Sequence, residues 1–102
     1  METSKVKRTI GGFLTYPTAV TLPWTAPEQG FLMIKATWGS GGGAGYSYIK
    51  DTTSQNTVAY LSTPNANGLS LSTYIPVKKG DKYEIQVSDK VDNYIFHFYP
   101  FS

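Results

Sequence analysis

Residues 30–38, "GFLMIKATW", alternate with a period of two. Leu32, Ile34, Ala36 and Trp38 fall on one face; Phe31, Met33, Lys35 and Thr37 fall on the other. Successive side chains of a strand point to opposite sides, so this pattern predicts a strand over Gly30–Trp38 with the first set in the core. The second face begins apolar and ends polar, as if half of it met a partner. The alternation recurs downstream. "GYSYIKD" (Gly45–Asp51) sets Tyr46, Tyr48 and Lys50 against Ser47, Ile49 and Asp51. "NTVAYLST" (Asn56–Thr63) sets Val58 and Tyr60 against Ala59 and Leu61. "GLSLSTYIPV" (Gly68–Val77) places Leu69, Leu71, Thr73, Ile75 and Val77 together, and "DKYEIQVSD" (Asp81–Asp89) does the same for Tyr83, Ile85 and Val87.

Between these segments lie "DTTSQN", "TPNANG", "KKGD" and "SDKVDN", built from residues that tolerate tight turns. Upstream, "FLTYPTAVTLPWTAP" carries Pro17, Pro23 and Pro27. Proline cannot donate to a ladder, so only a short edge strand near Ala19–Leu22 is expected there. No stretch keeps an apolar stripe at helical spacing. About seven short strands joined by turns predict an all-β protein, an antiparallel sandwich or barrel. Residues 13–102 are expected to form this single domain, after a flexible, polar and basic lead-in over residues 1–12.

The last strand departs from the rule. "NYIFHFYPF" puts Tyr94, Phe96, Phe98 and Pro100 on one face and Ile95, His97, Tyr99 and Phe101 on the other. Both faces are apolar or aromatic, whereas an outer strand of an antiparallel sheet normally turns one polar face to water. One face is expected in the core. The other needs a cover, for which another copy of the chain is the first candidate and the segment "FLTYPT" the second. Phe96, His97, Phe98, Tyr99 and Phe101 are therefore candidate core or oligomer-interface residues.

Composition narrows the chemistry. The 102 residues suffice for one domain. Only 16% are charged and 40% are hydrophobic, a profile opposed to disorder. A net charge of +2 without a basic stripe argues against nucleic-acid binding. Without cysteine there is no disulfide, thiol catalysis or Cys-ligated zinc. No apolar run reaches membrane-spanning length and no secretory leader follows Met1, so synthesis in a cytosol without membrane insertion is expected.

The glycine-rich "GSGGGAG" fits the permissive dinucleotide fingerprint at Gly39, Gly41 and Ala44. That motif needs a following helix to receive a pyrophosphate and an acid about twenty residues on. A strand pattern follows instead, and no Asp or Glu occurs between Asp51 and Asp81. The loop is thus read as a strand connection. His97 is the single histidine and cannot assemble a metal site alone. The close carboxylate pairs, Asp81 with Glu84 and Asp89 with Asp92, sit at turns. No catalytic constellation, cofactor site or metal site is expected. The remaining chemical resource is aromatic. Tyr46 and Tyr48, beside the glycines, and Tyr74, opposite the apolar face of its strand, are the candidate glycan-binding residues, because a tyrosine ring covers the apolar face of a sugar and its hydroxyl bonds the rest.

"TAPEQGFLMIKATW", the glycine-rich link into "YSYIKD", "GLSLSTYIPVKKGDKYEI" and the terminal "FHFYPFS" together resemble the C-terminal jelly-roll domains of phage and prophage tail-fibre or receptor-binding proteins, which are similar in architecture to the C1q and tumour-necrosis-factor families. The resemblance spans about residues 19–102. It implies a jelly-roll sandwich of seven to eight strands and a homotrimer with the terminal strand near the threefold axis. It also implies a non-enzymatic module on the surface of a virion or phage-like particle, binding a bacterial surface polysaccharide and made in the bacterial cytoplasm. A capsid decoration or head-fibre protein without a glycan ligand, and a free carbohydrate-binding module, are the alternatives.

Overall fold

The computed structural model describes residues 17–39 and 41–101, together with the backbone of 9–10 and 13–14. Thr9–Ile10 (β1) pairs antiparallel with Phe13–Leu14 (β2). The rest of the expected lead-in, and most of "FLTYPT", lie outside the described residues. The eight strands that follow are Thr18–Val20 (β3), Trp24–Thr25 (β4), Gly30–Trp38 (β5), Gly45–Asp51 (β6), Asn56–Thr63 (β7), Ser70–Val77 (β8), Lys82–Asp89 (β9) and Val91–Pro100 (β10).

They form two four-stranded antiparallel sheets, ordered β3-β10-β5-β8 and β4-β9-β6-β7. Apart from the β6–β7 hairpin, each strand passes to the opposite sheet. That is the double Greek-key order of a jelly roll. The chain is all-β, an antiparallel β-sandwich, and no helix occurs among the described residues.

The alternation of β5 is realised in full: Leu32, Ile34, Ala36 and Trp38 have no exposed surface. Against them pack Phe96 and Phe98 of β10 and Ile75 and Val77 of β8, and the facing sheet supplies Ile49, Ala59, Leu61 and Tyr83. A part-buried cross-sheet contact lies beside them, Ser47 Oγ to Tyr94 Oη at 2.6 Å. The Trp38 indole donates to the Asp89 carbonyl at 2.9 Å, so the largest core side chain leaves no orphan donor.

Two features escape the linear pattern. The strand β4 sits between Pro23 and Pro27, where no strand was expected; it exists because Trp24 pairs with Tyr83 and packs 5.0 Å from the Phe98 ring. The edge strand β3 ends at Val20 rather than Leu22. Irregularities in register also re-aim side chains. Between Tyr48 and Ile49 the β6–β9 pairing steps from Val87 to Ile85, leaving Gln86 as the extra residue. Val87, expected on the core face with Tyr83 and Ile85, thereby comes opposite Tyr48 on the outer face.

The glycine-rich link carries the chain from one sheet to the other. Gly42 and Gly43 have φ of 66° and 72°, values that favour glycine. The link is tethered: Gly68 N–H donates to Gly39 at 3.1 Å, Ala66 N–H to Gly43 at 2.7 Å, and Lys90 Nζ to Gly42 at 3.1 Å. Gly45 lies against the Trp38 indole, and a Cβ there would also come within 2.9 Å of Ala66.

Candidate functional site

Three surfaces carry chemistry. The first is the outer face of the β4-β9-β6-β7 sheet. Alternation along β6 buries Ser47 and Ile49 and sends Tyr46 and Tyr48 outward. The hairpin register then sets Tyr60 directly opposite Tyr48. Tyr46 and Tyr48 stack with ring centroids 5.6 Å apart, and Tyr60 meets Tyr48 edge-on at 4.5 Å. Tyr60 is 62% exposed and Tyr46 37%. The hydrogen bond between the Tyr48 and Tyr60 phenols, reinforced by burial, raises the Tyr48 hydroxyl above its ordinary pKa. On the β9 side Asp89 lies opposite Tyr46, and on the β7 side Ser62 does. The result is a continuous aromatic platform edged by a carboxylate and a hydroxyl, at which an apolar ring face and its hydroxyls could both be met.

The candidates are only partly brought together. Tyr46 and Tyr48 are neighbours, but Tyr74 lies on the outer face of the other sheet, opposite Met33 and 6.0 Å from the Tyr99 ring. Tyr74 is thus separated from the platform by the whole sandwich. Tyr60 takes its place. Its alternation with Leu61 was visible in sequence; its partner across the hairpin was not.

The second surface is that opposite face. Phe96 and Phe98 point into the core, whereas His97, Tyr99 and Phe101 belong to the outer side with Ile95. The β10–β5 register places His97 opposite Met33 and Tyr99 opposite Phe31. Phe31 and Phe101 meet edge-on at 5.1 Å. Phe31, Tyr74, Ile95 and Phe101 are all exposed, by 44, 54, 36 and 48%. Burial, then the neighbouring Tyr74, raises the Tyr99 hydroxyl. A sheet face turned to water is ordinarily polar, and this one is apolar around Phe31, Met33, Ile95 and Tyr99, turning polar towards Lys35 and Thr37.

The third surface is a cleft of about 420 Å³ at the end of the sandwich remote from the glycines. Asp51, the last residue of β6, is 5% exposed. Its Oδ1 accepts from Thr53 N–H at 2.9 Å and Ser54 N–H at 3.2 Å. Burial pushes the Asp51 carboxyl up, but its hydrogen bonds with Asp81 and the turn outweigh this and hold it below the ordinary carboxylate range. Asp81 moves the other way, raised by the hydrogen bond to Asp51, then by burial and the Asp51 charge, with Lys78 opposing. Between the two values the pair holds one proton.

Linkage gives each carboxyl its own pH window. The contribution of Asp51 is present above its unfolded pKa and is lost as pH falls through its lowered folded value. That of Asp81 is present below its unfolded pKa and is lost as pH rises through its raised folded value. Asp81→Asn donates to Asp51 at every pH. Its Tm relative to the unmodified protein is therefore expected to rise between about pH 4 and about pH 7. Thermal melts at the two values check this, and a difference independent of pH would refute the shared proton.

Among the described residues no group of three or more His, Cys, Asp or Glu side chains could hold a metal ion. Comparison with family models, with curated proteins and with solved structures gives no match. The three surfaces must speak for themselves.

Proposed function

We propose that the chain is a trimer-forming adhesion module that binds a bacterial surface glycan, of the kind borne at phage tail-fibre tips, and that it acts by binding rather than by catalysis. The observation that carries the reading is the division of aromatic residues between opposite faces of one jelly roll. The face of β5, β8 and β10 carries exposed Phe31, Tyr74, Ile95 and Phe101, too apolar to be left in water, and is assigned to self-association. The face of β6 and β7 carries the smaller platform of Tyr46, Tyr48 and Tyr60, edged by polar groups, and is assigned to the glycan. Association through the first face leaves the second outward on every protomer. Several weak sugar sites then act together, which raises avidity without any new contact.

A glycan array probed with the intact oligomer tests the reading. Binding is expected to one or more bacterial polysaccharides. Tyr48→Ala and Tyr60→Ala are each expected to weaken it about tenfold or more, a loss of about 1.4 kcal/mol on the ordinary affinity scale. Binding that survives both substitutions removes the platform from the account. An intact trimer that binds no polysaccharide points to a purely structural role on a particle.

A further inference from the structure

Apart from Phe101 at its rim, which belongs also to the face assigned to self-association, the cleft at the Asp51 end plays no part in that reading. It opens where the first residues of β7 and the last of β8 face each other, and Val58, Pro76, Val77 and Tyr83 supply apolar lining. One wall is polar and built from turns. Asp51 is fixed by the β6–β7 turn, which is tied to β9 through Thr52 N–H to the Lys82 carbonyl at 2.8 Å and Lys82 N–H to Thr53 Oγ1 at 3.0 Å. Asp81 is fixed by its carbonyl, which accepts from Ala26 N–H at 3.0 Å. Asn56 and Gln29 add two carboxamides, and Phe101 adds a half-exposed ring at the rim. The Phe101 end is itself held, with its N–H donating to Gln29 at 3.0 Å.

We infer that this cleft is a second binding site, for one neutral, hydroxyl-rich ring of monosaccharide size. Its volume lies low in the range of small-molecule sites, which suits a single ring rather than an extended chain. Carboxylates accept from hydroxyls, and carboxamides both donate and accept, so the wall can meet several hydroxyls of one ring from different directions. The apolar lining covers the C–H side. An anionic ligand would meet the buried Asp51 charge, and Lys78, the cation of the lining, already acts on Asp81. A metal ion would want more anionic ligands than the two carboxylates here, and Asp51 Oδ1 already accepts two backbone donors. A hydroxyl requires no added charge. The site is independent of the tyrosine platform, which lies towards the other end of β6.

Amide NMR titration of the unmodified protein tests this. The probes are the methyl glycosides of glucose, galactose, mannose and N-acetylglucosamine, with calcium chloride run separately. Saturable shifts centred on Ser54, Asn56 and Lys78 are expected with at least one glycoside. Asn56→Ala and Gln29→Ala are expected to weaken that binding about tenfold. Tyr48→Ala is expected to leave it unchanged, which separates this cleft from the platform. No saturable shift with any glycoside at tens of millimolar overturns the inference. So does a response at these residues to calcium alone, or binding that both variants retain in full.

Discussion

Trp38→Ala is expected to destabilise the fold by roughly 3–5 kcal/mol, the usual cost of deleting a fully buried large aromatic side chain. Trp38 closes the inner face of β5, has no exposed surface and joins the sheets through its bond to the Asp89 carbonyl. Its ring also fills the space that Gly45 leaves free. Against a typical total stability of about 5–15 kcal/mol, such a loss places the variant near the edge of folding. Trp38→Phe keeps an apolar ring but leaves the Asp89 carbonyl without this donor. It is expected to cost less than the alanine variant and still about 1–3 kcal/mol. Denaturant unfolding measures both. A loss under about 1 kcal/mol for Trp38→Ala would mean that this side chain is not the centre of the core.

The second large effect concerns association. If the chain associates through this face as proposed, Phe31→Glu combined with Ile95→Glu is expected to leave a folded monomer at micromolar concentration. Both side chains point away from the core and are exposed in the single chain, so the substitutions spare the core and remove only the surface contact of Phe31 with Phe101. In an assembled face they bury charge in an apolar contact and bring like charges together. Interface anchors of this type typically cost about 2 kcal/mol or more each when lost. Circular dichroism should show an unchanged β spectrum while sedimentation shows the mass fall. Tyr48→Glu, on the opposite face, should leave the mass unaltered. A double variant that remains oligomeric would move the interface elsewhere.

Legibility in the sequence followed the range of the interactions involved. The inner face of β5 and the bounds of β5, β6 and β7 were readable because period-two alternation with one buried face pins both strand and register. The two-sided apolar character of β10 was readable for the same reason, but not which face enters the core; Phe96 and Phe98 do, and His97, Tyr99 and Phe101 lie outside it. What escaped depends on partners distant in the chain. The strand Trp24–Thr25 is made by Tyr83, and local prolines argue against it. Val87 changes face because the β6–β9 pairing slips at Gln86, which no pattern within β9 reveals. Tyr46 and Tyr48 stood out for their place beside the glycines and Tyr74 for lying opposite the apolar face of its strand, but the outer faces of a sandwich look in two directions. Asp51 and Asp81 meet only because the β6–β7 and β8–β9 turns share one end of the fold.

The central proposal is that other copies of the chain cover the apolar face of β5, β8 and β10. Sedimentation equilibrium of the unmodified protein at micromolar concentration tests that directly. A single species of three times the chain mass is expected. A clean monomer would contradict it, and would leave Phe31, Ile95 and Phe101 to be covered by some other segment or partner.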